Sequence, residues 1–303
     1  MISFSIRQIE AFLWVASLNS FRQAAEKLNT TQPAISNRIS TLENQLALKL
    51  FDRDAGQIRL TPSGHQLLPQ ARRFLALAEE MALADRDDQQ SGLIRLGVAE
   101  TIVHTWLPEF LKTLRTRLPM IDVDVLVDVT LNLRNELTAH RLDLAFLMGP
   151  VSEYRIGNLD LPSFPLTWVA SPELGLPDDR PLSLEEISAF PIITYARTTR
   201  PYAEIWRKLS EPTARAPRIF PVSSLAASLR MTLDNVGIAA LPADLVQEPV
   251  AEKKLRALDC EWVPNELNFT ASWAADPPNL LAERIARLAK EVADNHAARQ
   301  RGG

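Results

Sequence analysis

The sequence predicts an α/β chain in two parts, a small helix-rich unit followed by a larger α/β unit of two lobes. Three observations carry this expectation. Between residues 6 and 42, apolar residues recur at three- and four-residue spacing around short polar turns. From residue 93 onward, apolar runs of strand length alternate with helical stretches. Between these regions lies a long, lightly apolar helical pattern that ends in the polar run DRDDQQSG, residues 85–92.

The first helix is expected over Ile6 to Leu18, with Ile6, Ile9, Leu13 and Ala16 on one face and Phe12 at its edge. Ser20 is a good N-cap for a second helix, and Gln23 three residues on completes a capping box. The small Ala24 and Ala25 let that helix approach its neighbour, and Leu28 closes its buried face. Asn29 and Thr30 make a turn. Thr31 then caps a third helix, with Pro33 in its first turn, where a missing N–H costs nothing. Ile35, Ile39 and Leu42 point to the core, so Thr31, Gln32, Ser36, Asn37 and Arg38 are expected to turn outward. Two crossed helices with a free polar face suit the DNA major groove, where short donors and acceptors reach base edges. Taken alone, the third helix would read as a merely wet amphipathic surface; cap, turn and two-helix spacing together favour the DNA reading.

Residues 50–64, LFDRDAGQIRLTPSG, suggest a short hairpin about Asp54-Ala55-Gly56, a wing whose Arg53 or Arg59 can reach a phosphate or the minor groove. Thr61-Pro62 starts a long helix to about residue 88, striped by Leu67, Leu68, Ala71, Leu75, Ala78 and Ala82. It is read as a dimerisation arm, the alternative being packing within its own chain.

In the remainder, strands are expected at 93–99, 121–129 and 142–148, with helices over 102–118 and through Leu137. LTWVAS, PIITYA, RIFPV and GIAAL repeat the pattern. LNFTASWAAD (267–276) returns to the first lobe, and a last helix over 278–296 packs there through Leu281, Ile285 and Leu288. Two lobes joined by two crossings make a cleft, and ligands of such sheets sit at strand carboxyl ends beside helix amino termini. Thr101, Thr130, Tyr195, Thr198, Thr199, Ser223 and Ser224 meet that description. Each hydroxyl taken singly reads first as an N-cap, a role compatible with facing a cleft. Arg197 and Arg200 can pair with a carboxylate or remain solvated, and His104 reads as structural.

Composition bounds the rest. The net charge of −4 gives no global sign of nucleic-acid binding, but residues 1–65 carry seven Lys/Arg against five Asp/Glu, so the front is locally positive. The single cysteine, Cys260, excludes an intrachain disulfide, fits a reducing cytoplasm and reads as an apolar filler. The start of the chain lacks a signal-peptide pattern, and no run approaches the roughly 20 apolar residues of a membrane span. Neither a phosphate-binding glycine loop, a paired metal-ligand motif nor a nucleophile–base constellation stands out, so neither enzyme activity, metal nor cofactor is expected.

The chain resembles the LysR-type transcriptional regulators. The resemblance is carried by Ala24-Ala25, Leu28, Gln32-Pro33-Ala34, Ser36, Leu42-Glu43, Leu46, Leu50-Phe51, Arg53, Leu60-Thr61 and Gly64, and by the order of elements along nearly the whole chain. It implies a winged helix-turn-helix DNA-binding domain over residues 1–61, a linker and dimerisation helix over 62–90, and a periplasmic-binding-protein-like α/β effector-binding domain over 91–303. Within the last, one lobe comprises about 91–161 and 269–303, and the other about 162–268. Gln32, Pro33, Ser36 and Arg38 match recognition-helix positions and Arg53 the wing arginine. Positions matching Thr101 and Thr130, with the loops near 195 and 223, line the effector site. The implied partners are promoter DNA, a small organic acid and further copies of the chain, as a homodimer or a dimer of dimers. A solute-binding protein without DNA function is the competing reading, and it leaves the first 90 residues unexplained. A regulator with an empty cleft remains a further alternative.

Overall fold

The computed structural model describes residues 4–54, 57–84, 92–153, 155–210 and 217–302. The chain begins with α1 (Ile6–Leu18), α2 (Phe21–Lys27) and α3 (Gln32–Leu46). Ser5 and Gln8 form a reciprocal capping box at α1. Ser20 accepts from Gln23 N at α2, one half of the expected box, and Thr31 accepts from Ala34 N at α3. Asn29, with φ of 48°, takes the left-handed conformation that turns the chain between α2 and α3. The core of this unit gathers Ile9, Phe12, Leu13, Phe21, Ala24, Ile35, Ile39 and Leu42. Ile6, expected inside, is exposed instead, because the buried face of α1 is centred on Phe12.

The wing follows as β1 (Phe51–Asp54) paired antiparallel with β2 (Gln57–Leu60). Ala55 and Gly56 of the expected turn lie outside the described residues. The long helix α4 (Pro62–Ala84) starts where Thr61 caps it by accepting from Gly64 N at 3.0 Å. Ala71 and Leu75 of α4 pack into the first core, while Phe74 and Leu77 are exposed. The rest of the linker expectation, residues 85–91, is likewise outside the described residues.

The larger part continues with β3 (Gly92–Val98), α5 (Glu100–Val103), α6 (Leu107–Arg117), β4 (Ile121–Val127), α7 (Thr130–Thr138), β5 (Leu144–Met148) and β6 (Ile156–Asp160). Then come β7 (Leu166–Ala170), α8 (Leu184–Ser188), β8 (Ile192–Thr194), α9 (Arg200–Leu209), β9 (Ile219–Pro221), α10 (Leu225–Leu233), β10 (Ile238–Pro242), α11 (Ala243–Ala251), β11 (Arg256–Leu258), β12 (Phe269–Ala274) and α12 (Leu280–Gly302). The helix expected over 102–118 is two helices. Pro108, in the first turn of α6, marks the restart, since proline lacks the N–H an uninterrupted helix would use there.

These strands form two five-stranded sheets, ordered β4-β3-β5-β12-β6 and β11-β7-β10-β8-β9. In the first, β3 runs parallel to β4 and β5, and the late strand β12 inserts antiparallel between β5 and β6. Thus β12 returns to the early sheet as its sequence suggested, and α12 packs over it through Ile285, Leu288 and Val292. The chain therefore passes between the sheets twice, and the carboxyl ends of β3, β4 and β5 come to face β8 and α10 across a cleft.

Candidate functional site

Two surfaces matter, one on α3 and one between the sheets. On α3, Ile35, Ile39 and Leu42 are fully buried, which leaves Gln32, Pro33, Asn37, Ser40 and Asn44 exposed along the opposite face. Thr31 is exposed at its cap, and Ser36 is half-buried at the edge. Arg38 departs from the expectation. It falls on the flank nearest the core, is half-buried, and its charge acts on Glu10 of α1. Burial raises that carboxyl above its usual range while Arg38 pulls it down. Ser40 and Asn44 were not singled out from sequence, although four-residue spacing from Ser36 and Ser40 places them on the free face. Arg53 lies on β1 of the wing.

The second surface is a cavity of about 300 Å³ between the sheets. Thr101, Thr130, Tyr195, Thr199 and Ser223 all line it, as expected. Thr198 does not; it is exposed in the turn before α9, because Thr199 is the residue that caps that helix and turns inward. Thr101 and Thr130 are not N-caps either, since Ala99 and Val129 hold those positions. Thr130 Oγ1 instead accepts from Met148 N at 3.1 Å, tying the start of α7 to the end of β5. Arg197 donates to the Tyr202 hydroxyl at 2.8 Å and Arg200 to the Glu266 carbonyl at 3.4 Å, so neither faces the cavity.

The main polar feature of the cavity was not foreseen. Glu100, at the start of α5, reaches across the cleft to the amino terminus of α10. Its carboxylate accepts from Ser224 Oγ at 3.0 Å, Leu225 N at 2.5 Å and Ala226 N at 3.1 Å. His104 Nε2 stands 3.5 Å from the same carboxylate. Burial works to raise the Glu100 carboxyl, but the two amides and the Ser224 hydroxyl outweigh it and hold it below the usual range. A negative charge at a helix amino terminus is also favoured by the helix dipole. The amino terminus of α10 is thus an anion position, and the protein's own carboxylate fills it.

Among the described lining residues no Lys, Arg or His appears, and the charged ones are Glu100 and Asp128. The expected organic acid therefore meets no cationic partner in the cavity. Two lining hydroxyls, Thr194 Oγ1 and Tyr195 OH, are buried and have no hydrogen-bond partner. Such groups cost about 1–3 kcal/mol each while unsatisfied. Burial pushes the Tyr195 phenol up, so it stays protonated and available as a donor. The surrounding wall is mostly apolar, with Val127, Met148, Leu241 and Phe269.

The front unit docks on the first sheet through charged contacts. Lys27, at the end of α2, donates to Asp143 Oδ1 at 2.9 Å and to the His140 carbonyl at 3.1 Å, over the ring of Trp14. Asp143 also accepts from Arg95 N at 2.9 Å and Nε at 3.0 Å. Arg72 of α4 donates to Asp276 at 2.5 Å, and Ser17 pairs with His140 at 3.2 Å. Helix α7, roughly 13 Å long, thus runs from Thr130 in the cavity to the His140 turn beside α1 and α2. Cys260 is half-buried against the second sheet's core, and burial pushes its thiol up to about 11, which disfavours the reactive thiolate.

Comparison with known proteins identifies the family of the chain. Residues 6–65 match the model for bacterial regulatory helix-turn-helix proteins of the lysR family, and residues 87–294 match that for the LysR substrate binding domain. The chain belongs to the LysR family: it is a LysR-type DNA-binding transcriptional regulator with an effector-binding domain, and its relatives are regulators rather than enzymes. The HTH-type transcriptional regulator YofA of Bacillus velezensis is 32% identical over 79% of this chain and 81% of its own. A probable RuBisCO transcriptional regulator of Thalassiosira pseudonana is 33% identical over a segment spanning 54% of each chain. Among solved structures, a full-length OxyR variant from Pseudomonas aeruginosa shares the fold with a TM-score of 0.61 at 20% identity, covering 96% of this chain and 95% of that one. Full-length CbnR in complex with its target DNA has a TM-score of 0.51 at 20% identity, covering 96% and 100%. Among the described residues no helix is long and apolar enough to cross a membrane.

Proposed function

We propose that this regulator reads promoter DNA with the exposed face of α3 and the wing, and that a small effector in the cleft between the two sheets changes how it does so. The observation that carries the first half is the free polar face of α3, with Gln32, Asn37, Ser40 and Asn44 exposed above a fully buried Ile35-Ile39-Leu42 stripe. For the second half, the cavity and the unpartnered hydroxyls of Thr194 and Tyr195 supply a place and a polarity. Sequence reasoning favoured an organic acid; the occupied α10 terminus and the acidic lining speak against it. Signal passes along α7, since a ligand that shifts Thr130 shifts the His140 turn against which Ser17 and Lys27 dock.

Assembly is part of this reading. Phe74 and Leu77 are exposed on α4, the surface a paired linker helix in a homodimer would cover. Val125, Leu126 and Leu131 are exposed on the edge strand β4 and the start of α7, a second apolar face that suits a tetramer. A cytoplasmic location fits a chain that works on DNA.

The test is retardation of duplexes from the chromosomal region flanking its gene, with and without a non-specific competitor, at several salt concentrations. Specific retardation with a steep salt dependence is expected. Retardation that competitor DNA abolishes equally for every fragment would refute sequence reading.

A further inference from the structure

We propose that Glu100 is a built-in ligand of the cleft, occupying its carboxylate position and latching the two sheets together, so that the effector is a small uncharged molecule. The inference rests on the reading of this chain as an effector-responsive regulator and names what the cavity admits.

Four observations carry it. The Glu100 carboxylate spans the cleft, from the end of β3 to the amino terminus of the nine-residue helix α10, where three donors hold it. That is the geometry with which a helix amino terminus takes an external carboxylate. Tethered in the same chain, Glu100 is present at high effective concentration, so a free acid must displace it without gaining a new cation in exchange. Asp128, the other charged lining residue, already accepts from Val129 N and Asn132 Nδ2 and adds a second negative charge to the wall.

The unmet demand lies elsewhere in the cavity. Thr194 Oγ1 and Tyr195 OH are two buried hydroxyls without a hydrogen-bond partner, and a neutral carbonyl or hydroxyl oxygen can take their protons without bringing a charge beside Glu100. The apolar wall around them takes a short hydrocarbon body. An ammonium group is a poorer match, because the Glu100 carboxylate already holds three donors at the α10 terminus and Asp128 two of its own, so neither negative charge is free to pair with it.

The experiment uses the full chain and three probes of one carbon skeleton, isobutyramide, isobutyrate and isobutylamine, followed by calorimetric titration and thermal unfolding. Wild type is expected to bind isobutyramide about tenfold or more tightly than either charged probe. In Glu100→Ala the order reverses between amide and acid, because isobutyrate now enters the vacated position. Acetate in place of chloride at equal ionic strength raises the unfolding temperature of Glu100→Ala and leaves that of Glu100→Gln and of wild type unmoved. The glutamine variant keeps the shape of the side chain, and so fills the position, while removing its charge and one of its two acceptor oxygens. Wild-type binding of isobutyrate or isobutylamine as tight as that of the amide, or an absence of selective acetate rescue, overturns the proposal. Failure of the regulator reading has a different signature, the loss of specific DNA retardation in wild type, with the amide-over-acid preference intact.

Discussion

Replacing Asp143 by Asn tests whether the front unit is docked on the effector unit through a buried charge cluster. Asp143 and Lys27 are 9% and 12% exposed at their side chains, and Arg95 is 35% exposed. Burial lowers the Lys27 ammonium against the pull of Asp143. Burial likewise works to raise Asp143, but Lys27 and Arg95 outweigh it and hold its carboxyl below the usual range. Asp143→Asn strands the Lys27 ammonium beside Arg95 with no anion between them. Removing one partner of a buried pair costs about 3–5 kcal/mol, and the partial exposure of Arg95 puts this case near about 3 kcal/mol. Lys27→Met keeps the aliphatic stem and leaves Asp143 neutralised by Arg95. Its cost is the contact to the His140 carbonyl and the Trp14 ring, about 1 kcal/mol. The double variant then loses less than the two single losses added together, because no buried charge is left unpaired. Urea unfolding of the full chain at pH 7, followed by far-ultraviolet circular dichroism, reads all three. Equal losses for the two single variants, or strict additivity in the double, would refute the docked cluster.

Three further outcomes follow from particular contacts. Burial first, and then the Lys27 charge, lower the His140 imidazole below its usual range. The unfolded chain therefore takes up a proton that the folded chain refuses as pH falls below about 6.5, and stability drops until the folded value is passed. His140→Asn, which tolerates the left-handed φ of 55° at this position, should flatten the change in unfolding temperature between pH 7 and pH 5; an unaltered acid dependence would exclude His140 as its source. Gly64→Ala drives a Cβ to 2.3 Å from the Leu50 carbonyl and should destabilise the front unit by about 1–3 kcal/mol, measured by chemical unfolding; a neutral result would contradict the close approach of α4 to the wing. Thr101→Val should leave DNA retardation intact and blunt the response to a verified effector; a normal response would misplace the site.

Much of the front unit was legible in the sequence because its determinants are local. Ser20 and Thr31 cap helices whose first turns lie within three residues, and the Ile35-Ile39-Leu42 spacing alone orients α3. Arg38 sits closer to the core edge than the spacing suggested, because a helix's flank is ambiguous from spacing alone and depends on what α1 places beside it. The strands of both sheets were recoverable from apolar runs, except β6 and β11: IGNLD is half polar and is a strand only because β12 pairs with it, and the three-residue RAL is one only because β7 pairs with it. The cleft hydroxyls were found by their place after strands, but the role of Glu100 was not. Its partners lie more than 120 residues away, on a helix terminus that any acidic side chain at that point in space would suit. The Lys27–Asp143 contact was hidden for the same reason, since each residue alone reads as solvated surface.

The most direct measurement is selection of bound sequences from a random duplex library by the full chain, run in parallel with Asn37→Ala and Ser36→Ala. The account predicts an enriched motif of two related half-sites for wild type, and an altered base preference within each half-site for the variants. No enrichment by wild type, or variants that return the same motif in the same yield, would contradict the assignment of α3 as the helix that reads the bases.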